Sequence, residues 1–125
     1  MNALLIEILN ASDGLLFTSE TDQPFLPVHL QTNDLIPVLQ ELTASENWEE
    51  VSLDHFFRNA IRSYPQDRPE QKLVAERFLH LKNLLANRLP DLRVLRFGRI
   101  QVDAFLIGQI QTNEYIGLRT KLVET

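Results

Sequence analysis

The chain has 125 residues, 44% of them hydrophobic, enough for one domain over residues 1–125 with its own core and no covalent staples. It contains no cysteine, which excludes disulfides, thiolate metal sites and cysteine nucleophiles together and points to a reducing compartment. The net charge of −5 hides an asymmetry: residues 1–57 carry ten acidic groups and no Lys or Arg, whereas the chain from Arg58 onward carries twelve basic groups against seven acidic ones. An acidic half repels phosphates, which disfavours direct binding of nucleic acid there and favours a basic protein partner.

In chain order, Leu4, Leu5, Ile8 and Leu9 have helical spacing over residues 3–10, and Gly14 follows as a stop signal. The stretch from Asn2 to Asn10 carries Glu7 and has no basic leader, and no apolar run is long enough to span a bilayer. A cytoplasmic location without a membrane partner is therefore expected. Leu15 to Phe17 is a short apolar run, Ser19 to Pro24 reads as a loop, and Phe25 to Leu30 reads as a strand that Pro27 confines to an edge or a bulge. A second helix carries Leu35, Ile36, Leu39 and Leu42; Pro37 belongs in its first turn, which puts the start near Asn33.

Trp48 to Leu53 suggests a strand, after which Ser52 or Asp54 caps a short helix through Phe56, Phe57, Ala60 and Ile61. Ser63 to Arg68 is a loop. The long helix after it is announced by Asp67 and Glu70 at capping-box spacing and by Pro69 in the first turn, and it runs to about Leu89 with Val74, Phe78, Leu81 and Leu85 as its apolar stripe.

The last third reads as β structure. Leu92–Phe97 and Ile100–Ile110 flank Gly98-Arg99, a pair that suits a two-residue type II′ turn, and Tyr115–Val123 follows a turn at residues 112–114. Alternation puts Ile100, Val102, Ala104 and Leu106 on one face of the second strand and Phe105 and Ile107 on the other, so both faces of the sheet must be covered. The expected architecture is α/β (α+β): a three-layer α/β/α sandwich around a mainly antiparallel sheet.

Catalysis finds little support. His29, His55 and His80 are scattered, no serine sits in a nucleophile elbow, and the four glycines are too far apart to cradle a phosphate. Arg93, Arg96 and Arg99 with Phe97 could form a strip for nucleic acid, but positions 93 and 96 have opposite parity on one strand, which splits it. Arginines whose stems cover the sheet edges are the simpler reading. A non-enzymatic binding protein without a cofactor is expected.

The run Ala11-Ser12-Asp13-Gly14-Leu15-Leu16-Phe17, then Ser19-Glu20 and Pro24-Phe25, resembles the opening of the nuclease A inhibitor family. Phe56-Phe57, Pro65-Gln66-Asp67, Val74-Ala75 and Phe78 follow in the same order, as do Asp103, Ile107-Gly108, Gly117, Thr120-Lys121 and the final Val123-Glu124-Thr125. The resemblance covers nearly the whole chain and implies a pathogenesis-related-1-like α/β/α sandwich. It also implies a protein that plugs the active site of a Mg-dependent, sugar-nonspecific nuclease of the ββα-metal kind, one inhibitor to one enzyme.

Carried over position by position, the resemblance implies that Glu20, with Asp22 beside it, meets basic active-site residues. It implies that Gln66, Asp67 and Arg68 contact the enzyme, and that Thr125, preceded by Glu124, approaches the partner's metal. Hard oxygen groups of this kind suit Mg²⁺. One position departs from the pattern: where the family has a tryptophan after the Gln-Asp pair, this chain has Arg68. A protein-interaction module of the same fold with a partner other than a nuclease is the competing expectation.

Overall fold

The computed structural model describes residues 2–124. Among them are four helices, α1 (Ala3–Ser12), α2 (Leu35–Thr43), α3 (Leu53–Phe57) and α4 (Pro69–Arg88). The strands are β1 (Leu16–Thr18), β2 (Asp22–Pro24), β3 (Leu26–Gln31), β4 (Trp48–Val51), β5 (Arg93–Phe97), β6 (Gln101–Gln111) and β7 (Glu114–Val123). Five of them form one sheet in the order β3-β7-β6-β5-β4, and β1 pairs with β2 in a separate two-stranded ribbon. Every pairing in the large sheet is antiparallel.

The apolar alternation on β6 divides the core. Val102, Ala104 and Leu106 join Leu5 and Ile8 of α1, Phe56 and Phe57 of α3, and Phe78, Leu81 and Leu85 of α4 in one buried cluster. Phe105 and Ile107 join Leu95, Phe97, Val28 and, from α2, Leu35 and Leu39 in a second. Each buried Leu or Phe contributes roughly 1.5–3 kcal/mol relative to exposure, so two filled faces give this sheet most of its driving force. Gly117 lets β7 lie close to β6: a β-carbon there would stand 2.0 Å from the carbonyl oxygen of Leu106.

Side-chain caps explain two of the four helix starts. Asn2 accepts from the amides of Leu4 at 2.8 Å and Leu5 at 3.2 Å, and Ser52 accepts from the His55 amide at 3.0 Å. α2 begins at Leu35, with Asp34 as a cap residue whose side chain makes no cap bond; the Thr32 hydroxyl instead accepts from the Asp34 amide at 3.0 Å. α3 is also tied to α4, because Lys82 forms an ion pair with Asp54.

Five local expectations need correction. Asp67 does not cap α4; the cap position is Arg68, and Gln71 Oε1 accepts from the Arg68 amide at 2.8 Å while Asp67 Oδ2 accepts from the Tyr64 amide at 2.7 Å. Val74 leaves the apolar stripe at 45% exposure, and Ala75 takes the buried place one residue on. Gly98-Arg99 is not a two-residue turn: Phe97 pairs with Asp103, so residues 98–102 separate the paired positions. The backbone of that connection is bonded elsewhere, the Gly98 amide to Asn47 O at 3.0 Å and Ile100 O to the Glu124 amide at 2.8 Å. Ile100 therefore stays exposed and lies outside β6. Finally, residues 19–24 are not all loop, since Asp22–Pro24 pair with Leu16–Thr18.

Candidate protein-binding site

The β1–β2 ribbon is built on one buried side chain. Phe17 stacks on Phe56 at 4.5 Å between ring centroids and meets Phe25, Phe57 and Phe78 edge-on. Leu15, Phe17 and Phe25 are thus core residues, and the run that carries the resemblance is in part a packing motif. Gly14, at φ 77°, turns the chain from α1 into it.

This ribbon carries its polar tip to the end of β7. The Ser19 hydroxyl accepts from the Val123 amide at 3.0 Å, and the Glu20 amide donates to Val123 O at 3.3 Å. Thr120, almost fully buried, donates its hydroxyl to Pro24 O at 3.0 Å and fixes the other end of β2 against the same strand. Glu20 and Asp22 are exposed, and Asp22 accepts from the Thr18 hydroxyl at 2.9 Å. Glu124 is exposed as a residue but pairs with Arg96 Nη2. Glu20, Asp22 and Glu124, separated by about a hundred positions in the chain, therefore share one end of the molecule. Thr125 lies outside the described residues.

Between this tip and the start of α4 opens a cleft of about 1010 Å³. Thr18, Ser19 and Glu124 line one part of it, and Glu70, Gln71 and Val74 of α4 line another. Phe17, Phe56, Phe78 and Leu122 give it an apolar floor, with Arg58, Arg62 and Arg96 among its polar residues. Gln66, Asp67 and Arg68 immediately precede that part of α4, and a smaller adjoining cavity lined by Tyr64 and Asp67 shares Arg62, Gln71 and Val74 with the cleft. Of the anticipated contact residues, Glu124 lines the cleft and Asp67 the smaller cavity, while Glu20, Asp22, Gln66 and Arg68 line neither. The cleft itself escaped the sequence reading, because its lining comes from segments far apart in the chain and its patterned residues, Phe56, Val74 and Phe78, read as core positions.

Lys82 holds the Asp54 carboxyl below its ordinary value of 3.8, first through its hydrogen bond and then through its charge. Among the described residues no three His, Asp or Glu side chains converge to hold a metal ion. Arg93 and Arg96 do lie on opposite faces of the sheet, each beside a carboxylate: Arg93 Nη2 is 2.8 Å from Glu50, and Arg96 Nη1 is 3.5 Å from Glu49. Both guanidiniums thus reach from β5 to the neighbouring edge strand β4. No helix among the described residues is long and apolar enough to cross a membrane.

The family profile described as Nuclease A inhibitor-like protein matches residues 2–125. The chain belongs to this family. A search of curated proteins returns no significant match. The tip of the β1–β2 ribbon and the end of β7, two segments quoted for the resemblance, are tied to each other by hydrogen bonds. The role that goes with the family is nuclease inhibition, which calls for a surface that binds a protein and not for a reaction centre of the chain's own.

Proposed function

We propose that this protein blocks the active site of a Mg-dependent, sugar-nonspecific nuclease of the ββα-metal kind, as a one-to-one complex and without catalysis of its own. The observation that carries this reading is the family match over residues 2–125. The convergence of the acidic Glu20–Asp22 tip with the end of β7, where the chain runs on to Thr125, supports it. A nuclease indifferent to sugar and sequence must grip phosphates with cations and its metal, and an acidic protein can occupy the same groups. In this reading Glu20 and Asp22 meet basic residues of the enzyme, and Gln66, Asp67 and Arg68 make a second contact. Thr125 directs oxygen atoms toward the enzyme's Mg²⁺. The helices on both faces of the sheet make a three-layer α/β/α sandwich of the pathogenesis-related-1-like type, and the inhibitor works in the cytoplasm that it protects.

Calorimetric titration of such a nuclease, with and without a short DNA duplex present, tests the proposal. Binding at a ratio near one that DNA displaces competitively is the expected result. Binding that DNA leaves untouched would remove the active-site mechanism, and no binding to any nuclease of this kind would remove the function.

A further inference from the structure

Arg96 has no place in the contact scheme above, yet its surroundings are unusual for a strand arginine. Its side chain is only 13% exposed. One guanidinium nitrogen lies 3.5 Å from Glu49 of the neighbouring strand β4, and another bonds Glu124, just past the end of β7. Its Nε is buried without a hydrogen-bond partner. Shielding a guanidinium from water costs free energy that a surface arginine does not incur, and the two carboxylates beside Arg96 offset that cost.

What the arrangement achieves is a fixed tail. Residues 123–124 are held from three sides: by the Ser19 hydroxyl on the Val123 amide at 3.0 Å, by Ile100 O on the Glu124 amide at 2.8 Å, and by Arg96 on the Glu124 side chain. Chain ends ordinarily fray. A segment ordered before binding does not lose that freedom when a partner arrives, so its contacts count more fully toward affinity.

We propose that Arg96 is a positioning residue: by holding Glu124 it sets the direction in which the chain leaves β7 and presents the residue that follows to the nuclease. Glu124 then serves as an internal anchor and not as a contact with the enzyme. This rests on the inhibitor reading and assigns within it a role that the resemblance does not supply.

A double-mutant cycle tests the assignment in the full chain. Arg96→Met keeps the apolar stem and removes the charge, and Glu124→Gln removes the carboxylate. Each single change is expected to weaken nuclease binding about tenfold, equivalent to roughly 1.4 kcal/mol, with the double variant no weaker than either single. Arg96→Lys should recover part of the loss. Unchanged affinity in Arg96→Met, or single effects that simply add, would overturn the proposal, since additivity would mean that each side chain acts independently.

Hydrogen exchange in the free protein reads the same tail without any nuclease. Arg96→Met should speed exchange of the Glu124 amide while the amides in the middle of β6 keep their protection. Unaltered exchange at Glu124 would overturn the positioning role whatever the binding assay shows. Wild-type protein that binds no nuclease removes the parent reading, and with it the presentation role; a tail that still loosens in Arg96→Met would then leave only the local hold on Glu124.

Discussion

Arg68 stands where the resemblance implies a tryptophan, and little in the structure stands in the way of placing one there. Its backbone amide is bonded by Gln71 Oε1, its side chain is exposed, and Pro69 starts the helix independently of it. Replacing Arg68 by Trp should therefore leave the fold within about 0.5 kcal/mol of the parent, as surface substitutions do. Against the cognate nuclease the aromatic side chain should gain on the order of 2 kcal/mol if it regains the central anchor typical of interfaces. Paired melting and binding measurements on Arg68→Trp check both halves, and an affinity that falls would show that the arginine is this chain's own anchor.

Asp67 and Val74 show how single positions mislead. Asp67 has the type and spacing of a cap, but a Gln one residue beyond Glu70 captures the amide that matters, and Asp67 closes the preceding turn on Tyr64. Val74 fits the helical stripe, yet α4 is rotated so that Ala75 is buried and Val74 lines the cleft. A twenty-residue helix with exposed Leu73, Val74 and Leu79 has apolar side chains on more than one face, so periodicity alone could not choose between them.

The β1–β2 ribbon is the element on which the site depends. Its three-residue strands are too short to hold themselves together in water, and Phe17 is the buried residue of β1. Truncating that side chain by Phe17→Ala should cost about 3–5 kcal/mol in a urea melt, with loss of inhibition well before unfolding because the Ser19 tip leaves Val123. Phe17→Ala that stays fully inhibitory would show the tip to be dispensable. At the α3–α4 junction the Asp54 carboxyl, lowered by Lys82, contributes stability above its ordinary value of 3.8 that is lost as pH falls through the lower folded value. Melting temperature against pH for Asp54→Asn should show a slightly shallower acid limb than the parent, the effect being small because Asp54 is exposed.

At this scale the legible elements are those with strong periodicity or a stiff residue. The long helix, the edge position of β3 enforced by Pro27, and the two-sided apolarity of β6 were all readable from the chain. The ribbon strand Asp22–Pro24 was not, because it is polar, ends in proline and takes its hydrogen bonds from partners that propensity does not encode. The connection after β5 followed the same logic: its glycine, at φ 107°, is a turn residue as expected, but distant partners at Asn47 and Glu124 set the turn's length.

For the whole molecule, the inhibitor reading expects the ten acidic residues before Arg58 to set the rate of association more than its final strength. Raising ionic strength from about 0.1 M to about 1 M shortens the screening length from roughly 10 Å to roughly 3 Å. The association rate with a basic nuclease should fall by about tenfold or more over that range, with a much smaller change in dissociation, as surface plasmon resonance would read. A salt-independent rate would remove acidic steering from the account. Sequence showed that both sheet faces needed covering and that the first half was acidic. It did not show that Glu20 and Glu124 would meet at one end, since that depends on the ribbon folding onto β7 through Ser19 and Thr120.

The most direct measurement of the central claim is titration of this protein into DNA and RNA digestion by a set of Mg-dependent ββα-metal nucleases, beside a chain ending at Val123. The account predicts that at least one enzyme loses activity on both substrates at a one-to-one ratio, and that the shortened chain, equally well folded, inhibits far less. Full inhibition by the shortened chain would contradict the role given to Glu124 and Thr125, and a folded protein that inhibits none of the enzymes would contradict the function itself.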